Sequence, residues 1–395
     1  MRRLLLGDDR PPLEDVVLVL EDGAIAELRP GEGAGATEPG VRRFERHTAM
    51  PGLIDLHVHL SWNPDCPPGM GWPEWVERCA SADDGELLAQ ATRNARACLR
   101  QGVTHVRDVG TRGDAVRELR DAIAAGRALG PEISVSSAPL TTRGGHLWWC
   151  GGEVDDDPAS VCGAVERELA RGCDWTKVCA SGGNLTPGSD SRRDQFGAAT
   201  LAALVARSHR DGRPVAAHAH ASSTIERCVD AGVDTIEHCS WYGESADALS
   251  YRPELVARMV ERGTVVSCTV NGRRRAWLSG EQPQPGKEDV LRLHLQSARA
   301  GVTCVPHSDA GTPGADFSEF ATGLRILHER IGFEPDELLC AVTSVAARVL
   351  GIDERVGTLD VGKQADVLVV EGDPLADLAA LERVAAIWKG GVRVA

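Results

Sequence analysis

Residues 51–60 read PGLIDLHVHL. In an extended strand successive side chains point to opposite faces, so Asp55, His57 and His59 share one side while Leu56, Val58 and Leu60 share the other. A run this short and this apolar suits a strand buried on both faces, the kind found in parallel sheets. From about residue 53 to 350 such runs alternate with longer stretches rich in Ala, Leu, Arg and Glu. The runs are LIDLHVHL from Leu53, VTHVRDV from Val103, ISVSSAPL from Ile133, WTKVCAS from Trp175, PVAAHAH from Pro214, DTIEHCS from Asp234, TVVSCTV from Thr264 and VTCVPHSD from Val302. Alternating strands and helices specify βα units, and eight of them close a barrel. The predicted fold class is therefore α/β, a (β/α)8 TIM barrel.

Helical patterns fall between the runs, at Asp114 to Ala125, Pro158 to Arg171, Gly197 to His209 and Pro253 to Arg262, and glycine often follows their last turn as a C-terminal stop. Two more patterns, Phe317 to Arg330 and Pro335 to Leu350, complete the last unit and add a helix. The flanks read as short strands: VVLVL from Val16, ADVLVVE from Ala365 and VAAIWKGGVRVA from Val384. Neither flank can bury a core alone, so both termini are expected to join in one small β-sandwich-like module. The predicted domains are 1–50 plus 353–395 for that composite module and 51–352 for the barrel. Between Gly31 and Gly40 lies a glycine-rich turn.

The chain has 395 residues, 42% hydrophobic and 26% charged, which suits a large soluble enzyme. No apolar run approaches the roughly 20 residues that span a bilayer, and MRRLLLGDDRPP at the start is too polar for a secretory signal. A cytoplasmic location and no membrane partner are expected. A formal net charge of -15 repels nucleic acid, which is excluded as a partner. The twelve cysteines contain no CxxC pair and most read as reduced, buried thiols; Cys150, Cys179, Cys239, Cys268 and Cys304 near strand ends suit small apolar filler, with a functional thiol as the alternative.

Histidines concentrate at the predicted strand ends. His57 and His59 follow the first, His218 and His220 the fifth, His238 the sixth, and His307 with Asp309 the eighth. Each alone also suits a hydrogen-bonded core position or a helix cap; collected at one rim, they suit a shared divalent cation. Lys177 sits in the fourth strand, where an ammonium ion inside an apolar barrel is costly. It either snorkels to solvent or, made neutral by burial, takes up carbon dioxide to become a carbamate, an anionic ligand able to bridge two metals.

Together, PGLIDLHVHL, GVTHVRDVG, TTRGGHLWW, WTKVCASGG, VAAHAH, GVDTIEHCS, HSDAGTP and VGTLDVGKQADVLVVEGDPL resemble the amidohydrolase superfamily over nearly the whole chain. Within it the resemblance is to the branch of imidazolonepropionase-like hydrolases and metal-dependent prolidases and carboxypeptidases. The resemblance implies that His57 and His59 bind a buried metal, that carboxylated Lys177 bridges, that His218 and His238 bind a second metal, and that Asp309 ligates the buried one and acts as general base. It implies two zinc ions, with manganese or iron as alternatives, and a small-molecule substrate. It also implies that His146 and His220 face a substrate carboxylate, although His220 equally suits a hydrogen-bonding partner to a ligand. Self-association into a homo-oligomer is a further expectation.

The chain departs from the family pattern in PHSDAG, which puts His307 beside Asp309, to orient it or to touch substrate. Arg273, Arg274 and Arg275 after the seventh strand are either a solvated loop or a contact for an acidic substrate. Trp62, Trp72, Trp75, Trp148 and Trp149 either wall the site or pack its loops. The expected reaction is hydrolysis of an amide or peptide bond in a dipeptide or N-acyl amino acid. Opening of a cyclic amide, deamination of a heterocycle and a non-catalytic scaffold are the rival readings.

Overall fold

The computed structural model describes residues 1–31, 40, 42–67, 69–245, 248–282 and 286–395. Most of the glycine-rich turn between Gly31 and Gly40 lies outside them. The N-terminal flank forms β1 (Arg3–Leu4), β2 (Leu13–Glu14), β3 (Val16–Glu21), β4 (Ala24–Pro30) and β5 (His47–Pro51). The central region forms β6 (Leu53–Val58), β7 (Val103–Asp108), β8 (Glu132–Val135), β9 (Thr141–Thr142), β10 (Glu153–Val154), β11 (Thr176–Cys179), β12 (Val215–Ala221), β13 (Thr235–Tyr242), β14 (Val265–Thr269) and β15 (Cys304–His307). The C-terminal flank adds β16 (Val367–Glu371), β17 (Val384–Lys389) and β18 (Val392–Arg393).

Each of the eight runs read from the sequence contains a strand. They pair in parallel and in chain order, as a ladder of β6, β7 and β8 and a ladder of β11 to β15. Isolated parallel bridges, Ser136 with Trp175 and Leu140 with Val178, link the chain after β8 to the β11 region, and a bridge from Val58 to Ala310 links β6 to the chain beyond β15. There the Asp309 amide donates to the His57 carbonyl at 3.0 Å and the His59 amide to the Ala310 carbonyl at 2.8 Å. Backbone hydrogen bonds thus hold the residues after the first and eighth strands side by side.

The helices Ala115–Ala124, Pro158–Ala170, Ala198–Arg210 and Pro253–Arg262 match their sequence patterns within three residues at each end. The last two helical patterns do not stay regular. Phe320–Ile326 runs into a π-turn over Leu327–Ile331, and Pro335–Cys340 into one over Ala341–Val345 before the helix resumes at Ala346–Leu350. In the second, the Thr343 hydroxyl lies 2.6 Å from the Leu339 carbonyl and 2.8 Å from that of Gly7. A hydroxyl competing for its own i−4 carbonyl distorts a helical ladder.

Both flanks enter one six-stranded sheet, in the order β18, β17, β16, β5, β1, β2, while β3 and β4 form a separate antiparallel pair. β16 is buried on both faces. Val367 and Val369 pack with Leu4, Ile25 and Ala49 of the flanks, whereas Leu368 and Val370 join the core of the central strands, as the two-residue period of a strand requires. No helix among the described residues is long and apolar enough to cross a membrane.

Candidate metal centre and substrate cavity

A cavity of about 490 Å³ opens over the C-terminal ends of the central strands. His57, His59, His146, Lys177, His218, His220, His238 and Asp309 all line it. Six of them supply donor atoms in two groups, each within 4.8 Å: His57, His59 and Asp309 in one, His218, His220 and His238 in the other; His57 also forms a third group with Glu237 and His307, which do not line the cavity. Asp309 Oδ1 is 3.4 Å from His57 Nε2 and 3.5 Å from His59 Nε2. The His57 and His238 rings are 5.1 Å apart, so the groups adjoin. Lys177 lines the same cavity, fully buried, its Nζ without a hydrogen-bond partner among the described residues.

Backbone conformation concentrates here. His238, Cys239, Trp241 and Asp309 adopt positive φ of 70°, 43°, 56° and 54°, as does Leu147 at 61° beside His146. Such conformations cost free energy in non-glycine residues and persist where the surroundings impose them. At His238 the consequence is direct. Strict alternation along β13 puts Glu237 and His238 on opposite faces, with His238 beside Ile236, which packs in the outer core. The left-handed turn at His238 lets both Glu237 and His238 reach His57.

Hydrogen bonds fix which ring nitrogens are free. His59 Nδ1 donates to the Gly110 carbonyl at 3.0 Å and His218 Nε2 to the Gly182 carbonyl at 3.2 Å, so His59 Nε2 and His218 Nδ1 carry the lone pairs. His57 Nδ1 lies 2.7 Å from Glu237 Oε2 and His238 Nδ1 lies 2.5 Å from Thr269 Oγ1. Outer partners of this kind orient histidines that bind metal.

Burial, reinforced by neighbouring imidazoles or cations, holds His57, His146, His218 and His238 well below the usual histidine range, and burial pushes His220 down to about 3. They are neutral at pH 7, as metal ligands must be. Burial also lowers Lys177, against the opposing pull of Glu237. Burial alone would raise Glu237, but Arg107 and Lys177 overcome it and hold the carboxyl at about 2. The donor set, the neutral rings and the partnerless amine suit one or two divalent ions.

His146 places Nδ1 2.8 Å from Thr186 Oγ1 and packs against Gly183, where even a methyl group would collide with the imidazole. His220 places Nδ1 2.7 Å from Ser240 Oγ and stacks on His238. The expectation that His307 touches substrate needs correcting. It is fully buried, is not among the residues lining the cavity, stacks on His57 at 4.4 Å and sets Nε2 3.0 Å from Thr269 Oγ1 and 3.1 Å from the Ser267 carbonyl. Of the tryptophans, Trp62 lies flat on the His59 ring at 3.7 Å and packs with Trp75 and Trp149, whereas Trp72 lines the cavity.

Sequence reasoning missed Glu237 and Arg107. Both are fully buried, and Arg107 Nη2 donates to Glu237 Oε1 at 2.7 Å. A usable signal existed: Arg107 in THVRDV and Glu237 in TIEHCS are residues of opposite charge placed inside predicted strands. It also missed Asp55 as an anchor, whose Oδ2 accepts from the Ser308 hydroxyl at 2.5 Å and so ties β6 to the strand end bearing Asp309.

Residues 48–394 match the model of the amidohydrolase family. The chain is 27% identical to ochratoxinase of Aspergillus niger, over 98% of its own length and 84% of that protein's. It is 28% identical to imidazolonepropionase of Saccharopolyspora erythraea, over 98% and 95% of the two chains. A crystal structure of a Xaa-Pro dipeptidase with methionine bound in its active site superposes with a TM-score of 0.85 at 25% identity, over 100% and 98% of the two chains.

Proposed function

Because the chain belongs to the amidohydrolase family, we propose that this enzyme hydrolyses an amide or peptide bond in a small carboxylate-bearing molecule, a dipeptide or an N-acyl amino acid. One observation carries the reading: two adjoining groups of histidine and carboxylate donors line the same cavity as a buried lysine amine that has no hydrogen-bond partner among the described residues. The likeness to a Xaa-Pro dipeptidase supports the choice of a peptide-like substrate.

In this reading His57, His59 and Asp309 would hold one ion, His218 and His238 a second, and Lys177 would serve as a ligand to both. Divalent ions, zinc most readily given histidine and carboxylate donors, or manganese or iron, would polarise the carbonyl and bring the pKa of water from about 15.7 towards 7. Lys177 serves as a bridge once its neutral amine adds carbon dioxide: an N–C bond forms, a proton leaves, and an anionic carbamate results. Asp309 takes the proton of the attacking water as the C–O bond forms, then delivers it to the nitrogen as the C–N bond breaks. His146 and His220 each keep one ring nitrogen for the substrate's carboxylate.

The matching architecture is one (β/α)8 barrel over 51–352 with a composite β module from 1–50 and 353–395, in a cytoplasmic enzyme. The test is a panel of dipeptides and N-acyl amino acids incubated with zinc-loaded enzyme. Release of free amino acid by the wild type and its loss in Asp309→Asn are expected. No release from any member contradicts the reading, and ring opening of a cyclic amide in its place favours the imidazolonepropionase-like alternative.

A further inference from the structure

We propose that Arg273 and Arg274, with Lys287, form a cationic subsite for a second carboxylate, so that the substrate is an acidic amide: a dipeptide or N-acyl amino acid bearing a glutamate or aspartate side chain. The inference rests on the preceding reading of the reaction and adds the substrate class. After β14 the chain enters a 3₁₀ helix over Gly272–Ser279. Consecutive residues in such a helix point about 120° apart, so three adjacent arginines cannot share one direction. Arg275 turns away, with Nη2 3.1 Å from Glu319 Oε1 and 2.9 Å from Thr322 Oγ1. Arg273 and Arg274 line the cavity.

The direction is built in. Gly272 lies so close to Glu319 that a methyl group would collide with the carboxylate, and Asn271 Nδ2 donates to the Ser308 carbonyl at 2.9 Å. The helix is thereby pinned to the segment that carries Asp309.

These cavity-lining cations form no ion pair among the described residues, and Asp309 acts on the two arginines only from farther off. Among the described residues no carboxylate lies within 4 Å of Arg273, Arg274 or Lys287, in a chain where acids outnumber bases 58 to 43. Arg273 Nη2 donates to Thr312 Oγ1 at 3.0 Å, Arg274 lies over the Trp277 ring, and Lys287 Nζ donates to Tyr242 Oη at 3.3 Å. Burial, with Arg273 beside it, brings Arg274 down to about 10, still charged at pH 7. Two guanidinium forks and an ammonium on one wall form strong, directional hydrogen bonds with a carboxylate. His146 and His220, being neutral, offer one ordinary hydrogen bond each to the other carboxylate.

Isothermal titration of zinc-loaded enzyme with N-methanesulfonyl-L-glutamate and its glutamine counterpart, neither of which has a scissile backbone amide, tests the subsite. The wild type is expected to bind the glutamate form at least about tenfold more tightly. That preference should disappear in Arg273→Gln/Arg274→Gln, diminish in each single variant, and survive in Arg275→Gln. Equal binding of the two ligands by the wild type, or a preference that survives the double variant, overturns the proposal. Tighter binding of the O-phosphoserine analogue overturns the assignment to carboxylate. Binding is read whether or not an amide is cleaved, so absent hydrolysis contradicts the reaction while equal binding contradicts the subsite.

Discussion

Glu237 Oε2 lies 2.7 Å from His57 Nδ1, and Glu237 Oε1 lies the same distance from Arg107 Nη2, with all three side chains shut away from solvent. The carboxylate therefore compensates a buried cation and fixes an imidazole that lines the cavity. Glu237→Gln strips Arg107 of its counterion and should cost about 3–5 kcal/mol of stability, the range for half of a buried ion pair. It should also weaken zinc binding about 10–100-fold through misoriented His57. Denaturant unfolding of the metal-free protein and chelator competition read the two effects separately.

Asp309→Asn keeps the shape of the side chain and removes its capacity to accept a proton. The variant should fold normally by circular dichroism yet lose about 10²–10⁴-fold in kcat. An unchanged kcat would remove Asp309 from the chemistry.

Lys177→Met replaces the partnerless amine with an apolar chain of similar length. Because the amine is buried and unpaired, folding should tolerate the change, while bound zinc falls towards one ion per chain or fewer. Metal-free wild type reconstituted with zinc in carbon dioxide-depleted buffer should regain activity slowly, and added bicarbonate should speed recovery. Rates independent of bicarbonate would argue against a carbamate.

Acid should destabilise the metal-free fold from about pH 6.5 downward. Burial holds His57, His146, His218 and His238 well below the usual range, and holds His220 at about 3 and His294 and His307 at about 4. For a group with a depressed folded pKa of this kind, the unfolded chain binds protons first, so stability is present above the unfolded pKa and lost as pH falls. Asp55, pushed up to about 7 by burial, and Asp108, also raised by burial, work in the opposite direction. These two carboxyls are outnumbered by the seven imidazoles and by His105, which burial also lowers, so the net slope is a loss with acid. Urea midpoints measured between pH 7.5 and 5 should fall, and Asp55→Asn should make the fall steeper.

Gly183→Ala places a methyl group against the His146 imidazole. Zinc content should stay unchanged while kcat/KM drops about 10–100-fold, as expected from displacing a substrate-facing group by a fraction of an ångström or more. Loss of zinc instead would mean that His146 belongs with the ligands.

The strands and the cage were legible because they rest on period-two patterns and on histidines at strand ends. His57 and His59, two residues apart, could be placed on one face without coordinates. His238 was found for its residue type, but its facing depends on a left-handed backbone turn that no pattern encodes. Glu237 was overlooked because alternation assigns it the opposite face from its neighbour. The arginine run showed its charge but not its directions, which follow from a 3₁₀ helix anchored on Glu319. His307 shares the parity of Asp309, yet sits one step deeper, behind His57, where depth along the strand and not facing decides access to the cavity.

The most direct measurement is anomalous diffraction at the zinc absorption edge from crystals of the zinc-loaded enzyme. Two peaks are predicted, one among His57, His59 and Asp309 and one at His218 and His238, joined by density extending from Lys177 Nζ. Peaks elsewhere, or a bare amine between empty histidine groups at saturating zinc, would contradict the account.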